Sequence, residues 1–109
     1  MTSLAERRCE PCRKGVPPLR PEEWQPLSTE LHADWHVVDG HHLSRSFRFP
    51  NFAEALAFTN RVGALAEEVG HHPDLYLAWG RVRVEIWTHK IDGLHEADFV
   101  FAARCDRLT

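Results

Sequence analysis

Between Phe52 and Val69 the apolar residues recur three and four apart. Phe52, Ala55, Leu56, Thr59, Val62, Leu65, Ala66 and Val69 make one stripe of an amphipathic helix. Asn51 stands where an N-cap is needed, Glu54 follows at the capping-box position, and Gly70 supplies a left-handed stop. The period then changes. From Arg81 onward Val82, Val84, Ile86 and Thr88 alternate with Arg83, Glu85, Trp87 and, if the strand persists, His89, which is the two-residue repeat of a half-buried strand. Asp74 to Trp79 is apolar enough to be its hairpin partner across a turn at Gly80. An earlier stretch, WHVVDGHHLSRSFRF, carries Asp39-Gly40 between two β-rich runs, a strong hairpin signal, although Leu43, Ser46 and Phe47 alternate imperfectly and leave its register open. Two shorter helices flank these units. Pro21 with Glu22 and Glu23 opens one that Pro26 limits to about two turns. The other begins near His95, after Asp92-Gly93, with Phe101, Cys105 and Leu108 as its apolar positions beside Val100 and Ala102.

The order helix, hairpin, long helix, hairpin, helix lacks the strand-helix alternation of a parallel sheet. It predicts an α+β fold of two layers, a four-stranded antiparallel sheet with helices packed on one face. At 109 residues the chain has room for one core. Residues 21–109 are read as that single domain. Residues 1–20 are read as an extended N-terminal arm, because four of the seven prolines fall between Pro11 and Pro21 and no apolar period there feeds a core.

Composition narrows the function classes. No segment approaches the roughly 18 apolar residues of a membrane span, and no signal-peptide pattern is visible, so a cytoplasmic protein without a membrane partner is expected. Thirteen Lys and Arg against sixteen Asp and Glu leave a net charge of −3 with both signs scattered, which disfavours nucleic acid as a partner. An odd count of three cysteines argues against a disulfide framework. Cys9 and Cys12 offer two ligands where structural zinc takes four, so no metal is expected, and Cys105 reads as a small buried hydrophobe. Eight histidines are the anomaly, since each can change charge near neutral pH.

Three of them fall where they can converge. Glu67 lies one helical turn before His71, within reach of its imidazole, and His71 follows a helix C-terminus, whose carbonyls favour a protonated ring. His72 diverges from it, with Pro73 pushing the chain into extended backbone. His89 arrives at the end of the second strand, which returns beside the start of the first. Three imidazoles and a carboxylate in one cleft suit general acid–base catalysis. His41-His42 reads as decoration of a hairpin turn, Trp24 and Trp35 as core or interface, and Trp79 and Trp87 as rings able to flank a flat heterocycle.

Glu67, His71, His72, Pro73, Trp79, His89 and Asp98 stand in the spacing E-x3-H-H-P-x5-W-x9-H-x8-D. With the Cys-x-Pro-Cys arm, FRFPNFAEALAF and THKIDGL, that constellation resembles the pterin-4a-carbinolamine dehydratase family from about residue 9 through residue 108. The resemblance implies a helix-backed antiparallel sheet assembled as a homodimer or homotetramer. It implies a hydro-lyase that takes a pterin substrate, 4a-hydroxytetrahydropterin (4a-hydroxytetrahydrobiopterin), to quinonoid dihydropterin and water with no cofactor, in recycling the tetrahydropterin of aromatic amino acid hydroxylases. His71, His72 and His89 match its active-site histidines and Glu67 the supporting acid, while Trp79, Asp98 and Pro73 fall at positions expected to contact substrate. Two departures stand out: His95 replaces the usual Ser or Thr cap of the last helix, and Gly70 takes a place that is acidic in some relatives. Relatives that bind a transcription factor or assist protein assembly make a dimerisation or assembly factor the alternative reading.

Overall fold

A computed structural model describes residues 3–7 and 15–109. Its elements are α1 (Pro21–Ser28), β1 (His36–Val38), β2 (His42–Arg48), α2 (Phe52–Val69), β3 (Asp74–Ala78), β4 (Arg81–Ile86) and α3 (Glu96–Asp106), with single 3₁₀ turns at Leu4–Glu6 and His89–Ile91. The strands form one antiparallel sheet in the order β1-β2-β4-β3. α2 packs on β3 and β4, and α3 on β2 and β4. The α+β two-layer expectation therefore holds.

Each hairpin is closed by its predicted turn. Asp39 and Gly40 take φ of 54° and 64°, the signs of a type I′ turn, and His41 N–H bonds Val38 O at 2.9 Å. β4 turns Val82, Val84, Ile86 and, beyond its end, Thr88 into the core, all nearly or fully buried. Leu43, Arg45 and Phe47 of β2 pair with Ile86, Val84 and Val82 and so face the same way. That pairing explains the imperfect alternation seen in the sequence. An arginine occupies an inward slot, tolerated because Arg45 bonds Asp106 of α3 at 2.7 Å and lies 4.2 Å from the centroid of the Phe47 ring. Ser44, Ser46, Arg83 and Glu85 lie on the opposite, open face.

Two expectations about packing fail. On α2 the buried stripe is Ala55, Phe58, Val62 and Ala66, whereas Phe52 and Leu56 are exposed. Phe58 takes the place expected of Leu56 because the sheet presents Phe47 and Phe49 to it, with ring centroids 4.6 and 5.1 Å away. At the N-terminus Leu4 is buried against α3, and Arg104 donates to the carbonyls of Ala5 and Arg7, so this end does feed the core. Residues 15–20 run without helix or strand, and Gly93 is tied to them: a Cβ there would meet Pro18 at 2.7 Å. Cys9 and Cys12 lie outside the described residues, and Cys105 is buried as expected.

Candidate functional site

The site begins where α2 stops. Asn51 caps the helix start by accepting the Glu54 N–H at 2.9 Å, and Gly70, with φ of 69°, ends it. The N–H groups of Gly70 and His71 both return to Ala66 O, so His71 leaves the helix aimed inward, toward α3. His71 Nε2 lies 2.6 Å from Asp98 Oδ1. Asp98 is fully buried in the first turn of α3, and its Oδ2 accepts from Thr88 Oγ1 at 2.9 Å and from His95 N–H at 2.8 Å. A carboxylate taken out of water costs several kcal/mol unless its oxygens are paired, and three donors supply that pairing here. Because a carboxylate only accepts, His71 must donate from Nε2, which leaves Nδ1 available for proton transfer.

His72 faces the rim instead. Its Nε2 is 2.5 Å from Glu67 Oε2, and both side chains are exposed. His89 sits on the 3₁₀ turn after β4 and stacks on Trp87, with centroids 4.4 Å apart and planes 17° apart. Gly70, His71, His72, Trp87, Thr88, His89 and Lys90 enclose an open cleft of about 250 Å³.

The three sequence-predicted histidines thus converge, but their supports differ from expectation. Glu67 was expected to hold His71; it holds His72, because the left-handed turn at Gly70 swings His71 inward while Glu67 stays on the outer rim. Asp98, expected to touch substrate, is wholly buried and holds His71 from behind. Pro73 directs the chain from His72 into β3 and does not line the cleft. Trp79 is 68% exposed at the other end of the β3–β4 hairpin, beside Arg48 and Phe49. His95, standing in place of the usual cap, makes no side-chain cap hydrogen bond, and Asp98 secures the start of α3 by accepting the His95 N–H. Thr88 escaped notice as a functional residue. Its signal was a hydroxyl in the inward-facing row of an otherwise aliphatic strand.

Among the described residues no group of three or more His, Cys, Asp or Glu is placed to hold a metal ion, and no helix is long and apolar enough to cross a membrane.

An antiparallel sheet backed by helices, with a histidine-lined cleft where the long helix meets the second hairpin, defines the class of protein. The chain belongs to the pterin-4a-carbinolamine dehydratase family: the sequence profile described as "Pterin 4 alpha carbinolamine dehydratase" matches residues 17–108. It is 61% identical over 108 residues to a protein of Rubrobacter xylanophilus named as a candidate pterin-4-alpha-carbinolamine dehydratase, covering 99% of this chain and 100% of that one. A protein of the same name in Alkaliphilus metalliredigens is 53% identical over 107 residues, covering 98% and 96%. Among solved structures, a transcriptional coactivator/pterin dehydratase from Brucella melitensis superposes with a TM-score of 0.77 at 32% identity, over 84% of this chain and 97% of that one. A pterin dehydratase-like protein identified as a RuBisCO assembly factor in the alpha-carboxysome superposes with a TM-score of 0.60 at 30% identity, over 71% and 90%.

Proposed function

We propose that this chain is a hydro-lyase that converts 4a-hydroxytetrahydropterin, such as 4a-hydroxytetrahydrobiopterin, to quinonoid dihydropterin and water. The observation that carries the reading is the hydrogen-bonded chain Thr88–Asp98–His71, which opens through the His71 ring into a cleft shared with His72 and His89. Loss of water across a carbon–nitrogen bond needs two proton transfers. One goes to the hydroxyl as its C–O bond breaks, and one leaves the adjoining ring nitrogen as the double bond forms. Imidazoles that titrate near neutrality can perform both. His71 or His89, as imidazolium, protonates the leaving hydroxyl, and a neutral ring among the three histidines takes the pterin proton. Asp98 fixes the tautomer of His71, and Glu67 does the same for His72 at the rim.

A cytoplasmic homodimer or homotetramer belongs to the same proposal. The support for assembly is the edge strand β3, which carries the exposed Tyr76 and is followed by the exposed Trp79. Sedimentation at micromolar concentration tests it, and a fully active monomer would refute it.

The catalytic proposal is tested by dehydration kinetics of the purified protein. His71→Ala and His89→Ala are each expected to lower kcat by about 10²-fold or more. Turnover close to wild type in both folded variants would end the acid–base reading. A wild-type protein unable to dehydrate the substrate would favour the binding-module reading, which the RuBisCO assembly factor among the solved relatives supports.

A further inference from the structure

Two histidines at the tip of the first hairpin have no part in that chemistry. His41 and His42 meet Nδ1 to Nδ1 at 3.1 Å, and His41 Nε2 lies 2.8 Å from Asp92 Oδ1. His42 Nε2 stands 4.0 Å from Glu85 Oε2. Both rings lean on Trp87, with centroids 5.3 and 5.7 Å from the indole at 44° and 55°. The ladder explains the meeting: Leu43 pairs with Ile86, so one step beyond it His42 comes opposite Trp87.

Trp87 in turn carries His89 in a parallel stack at 4.4 Å. His89 is exposed on a single 3₁₀ turn, and among the described residues its ring has no hydrogen-bond or ion-pair partner. His71 and His72 are each held by a carboxylate; His89 is held by an aromatic face. An exposed imidazole with two rotatable bonds and no polar partner would otherwise distribute over several rotamers. A flat contact with a half-buried indole selects among them. The indole face covered by His89 is not available to a substrate ring.

We propose that Trp87 is the positioning residue for His89, and that the His41–His42 pair braces the indole, so that the tip of the first hairpin sets the geometry of a catalytic group on the second. The inference rests on the acid–base reading of His89. It gives the His41-His42 pair a structural task within the site, where the sequence suggested only a decorated turn.

The test combines nuclear magnetic resonance with kinetics on Trp87→Leu, Trp87→Phe and His89→Ala. In the wild type the His89 ring protons, assigned by their loss in His89→Ala, should be shifted upfield by the indole ring current. Trp87→Leu should move them downfield and lower kcat by about 10-fold or more, the scale of a misplaced catalytic group, with KM changed by no more than about twofold. Trp87→Phe, which keeps a flat ring, should recover most of the loss, and keeps the test open if Trp87→Leu does not fold. In the double variant with His89→Ala, the change at Trp87 should cost little more than His89→Ala alone. Unmoved His89 resonances, a rise in KM with kcat intact, or full additivity in the double variant would overturn the proposal. A folded His89→Ala protein with wild-type turnover would instead remove the catalytic reading beneath it, whatever the resonances show.

Discussion

His71 and His72 are neighbours in the chain, and each meets a carboxylate at nearly the same distance, 2.6 and 2.5 Å. Their surroundings differ sharply. The His71 side chain is 16% exposed and Asp98 not at all, whereas His72 and Glu67 are 61% and 79% exposed. Near-identical geometry therefore has unequal consequences. An exposed ion pair exchanges one set of favourable contacts for another with water and is worth about 0–1 kcal/mol. A buried carboxylate has no water to return to, so every donor around it matters. The inner pair has the means to be a rigid fixture of the site, and the outer pair an adjustable rim.

The largest expected effect comes from removing the two acids in parallel. Asp98→Ala leaves Thr88, His95 N–H and His71 without their common acceptor and should cost about 3–5 kcal/mol of stability, while Glu67→Ala should stay within about 1 kcal/mol. Urea denaturation of both variants measures the gap, and equal costs would erase the distinction between the pairs.

Next come the isosteric amides, which spare the packing and act on chemistry. Asp98→Asn can present an N–H to His71 and reverse its tautomer, so kcat should fall by about 10²-fold or more, against less than about 10-fold for Glu67→Gln. Steady-state dehydration rates decide, and a larger loss from Glu67→Gln would transfer the central role to His72.

A smaller effect sharpens the inner network alone. Thr88→Val keeps the shape and removes one O–H donor to a charged oxygen, for an expected loss of about 1.5–3 kcal/mol in the same denaturation experiment. Should the loss vanish, the other two donors suffice for Asp98.

The smallest effect concerns Asp106, which lies between the two extremes. Burial pushes its carboxyl pKa up, against the lowering influence of the Trp35 hydrogen bond and the Arg45 charge. Its folded value thus exceeds its unfolded one, so its contribution to stability is full below the unfolded pKa and is lost as pH rises through the folded one. The stability difference between wild type and Asp106→Asn should accordingly shift in favour of the variant as pH is raised from the acid limb toward neutrality. A difference independent of pH would show that Asp106 titrates alike in both states.

Most of the framework was legible because it depends on neighbours in sequence. Asn51 and Gly70 mark the ends of α2 by backbone chemistry that acts within a few residues. Asp39-Gly40 closes its hairpin for the same reason, and the alternation Val82, Val84, Ile86, Thr88 needs only the pleat of a strand. Legibility fails where a distant element chooses. Periodicity placed Leu56 on the buried stripe, but the rings that β2 and its following residue present selected Phe58. Arg45 broke the alternation of β2, and its partner Asp106, 61 residues away, shows why it points inward.

The candidate site divides along the same line. The motif of seven residues, the histidines that line the cleft and the family itself could be read from the order of the chain, since spacing and residue type carry them. Which carboxylate holds which imidazole was settled by tertiary structure. A left-handed residue at Gly70 and the docking of α3 join His71 to an aspartate 27 residues away and leave Glu67 to His72. The physical reason is that sequence proximity fixes only which groups meet locally, whereas burial and competition among all donors and acceptors decide which are joined across the fold.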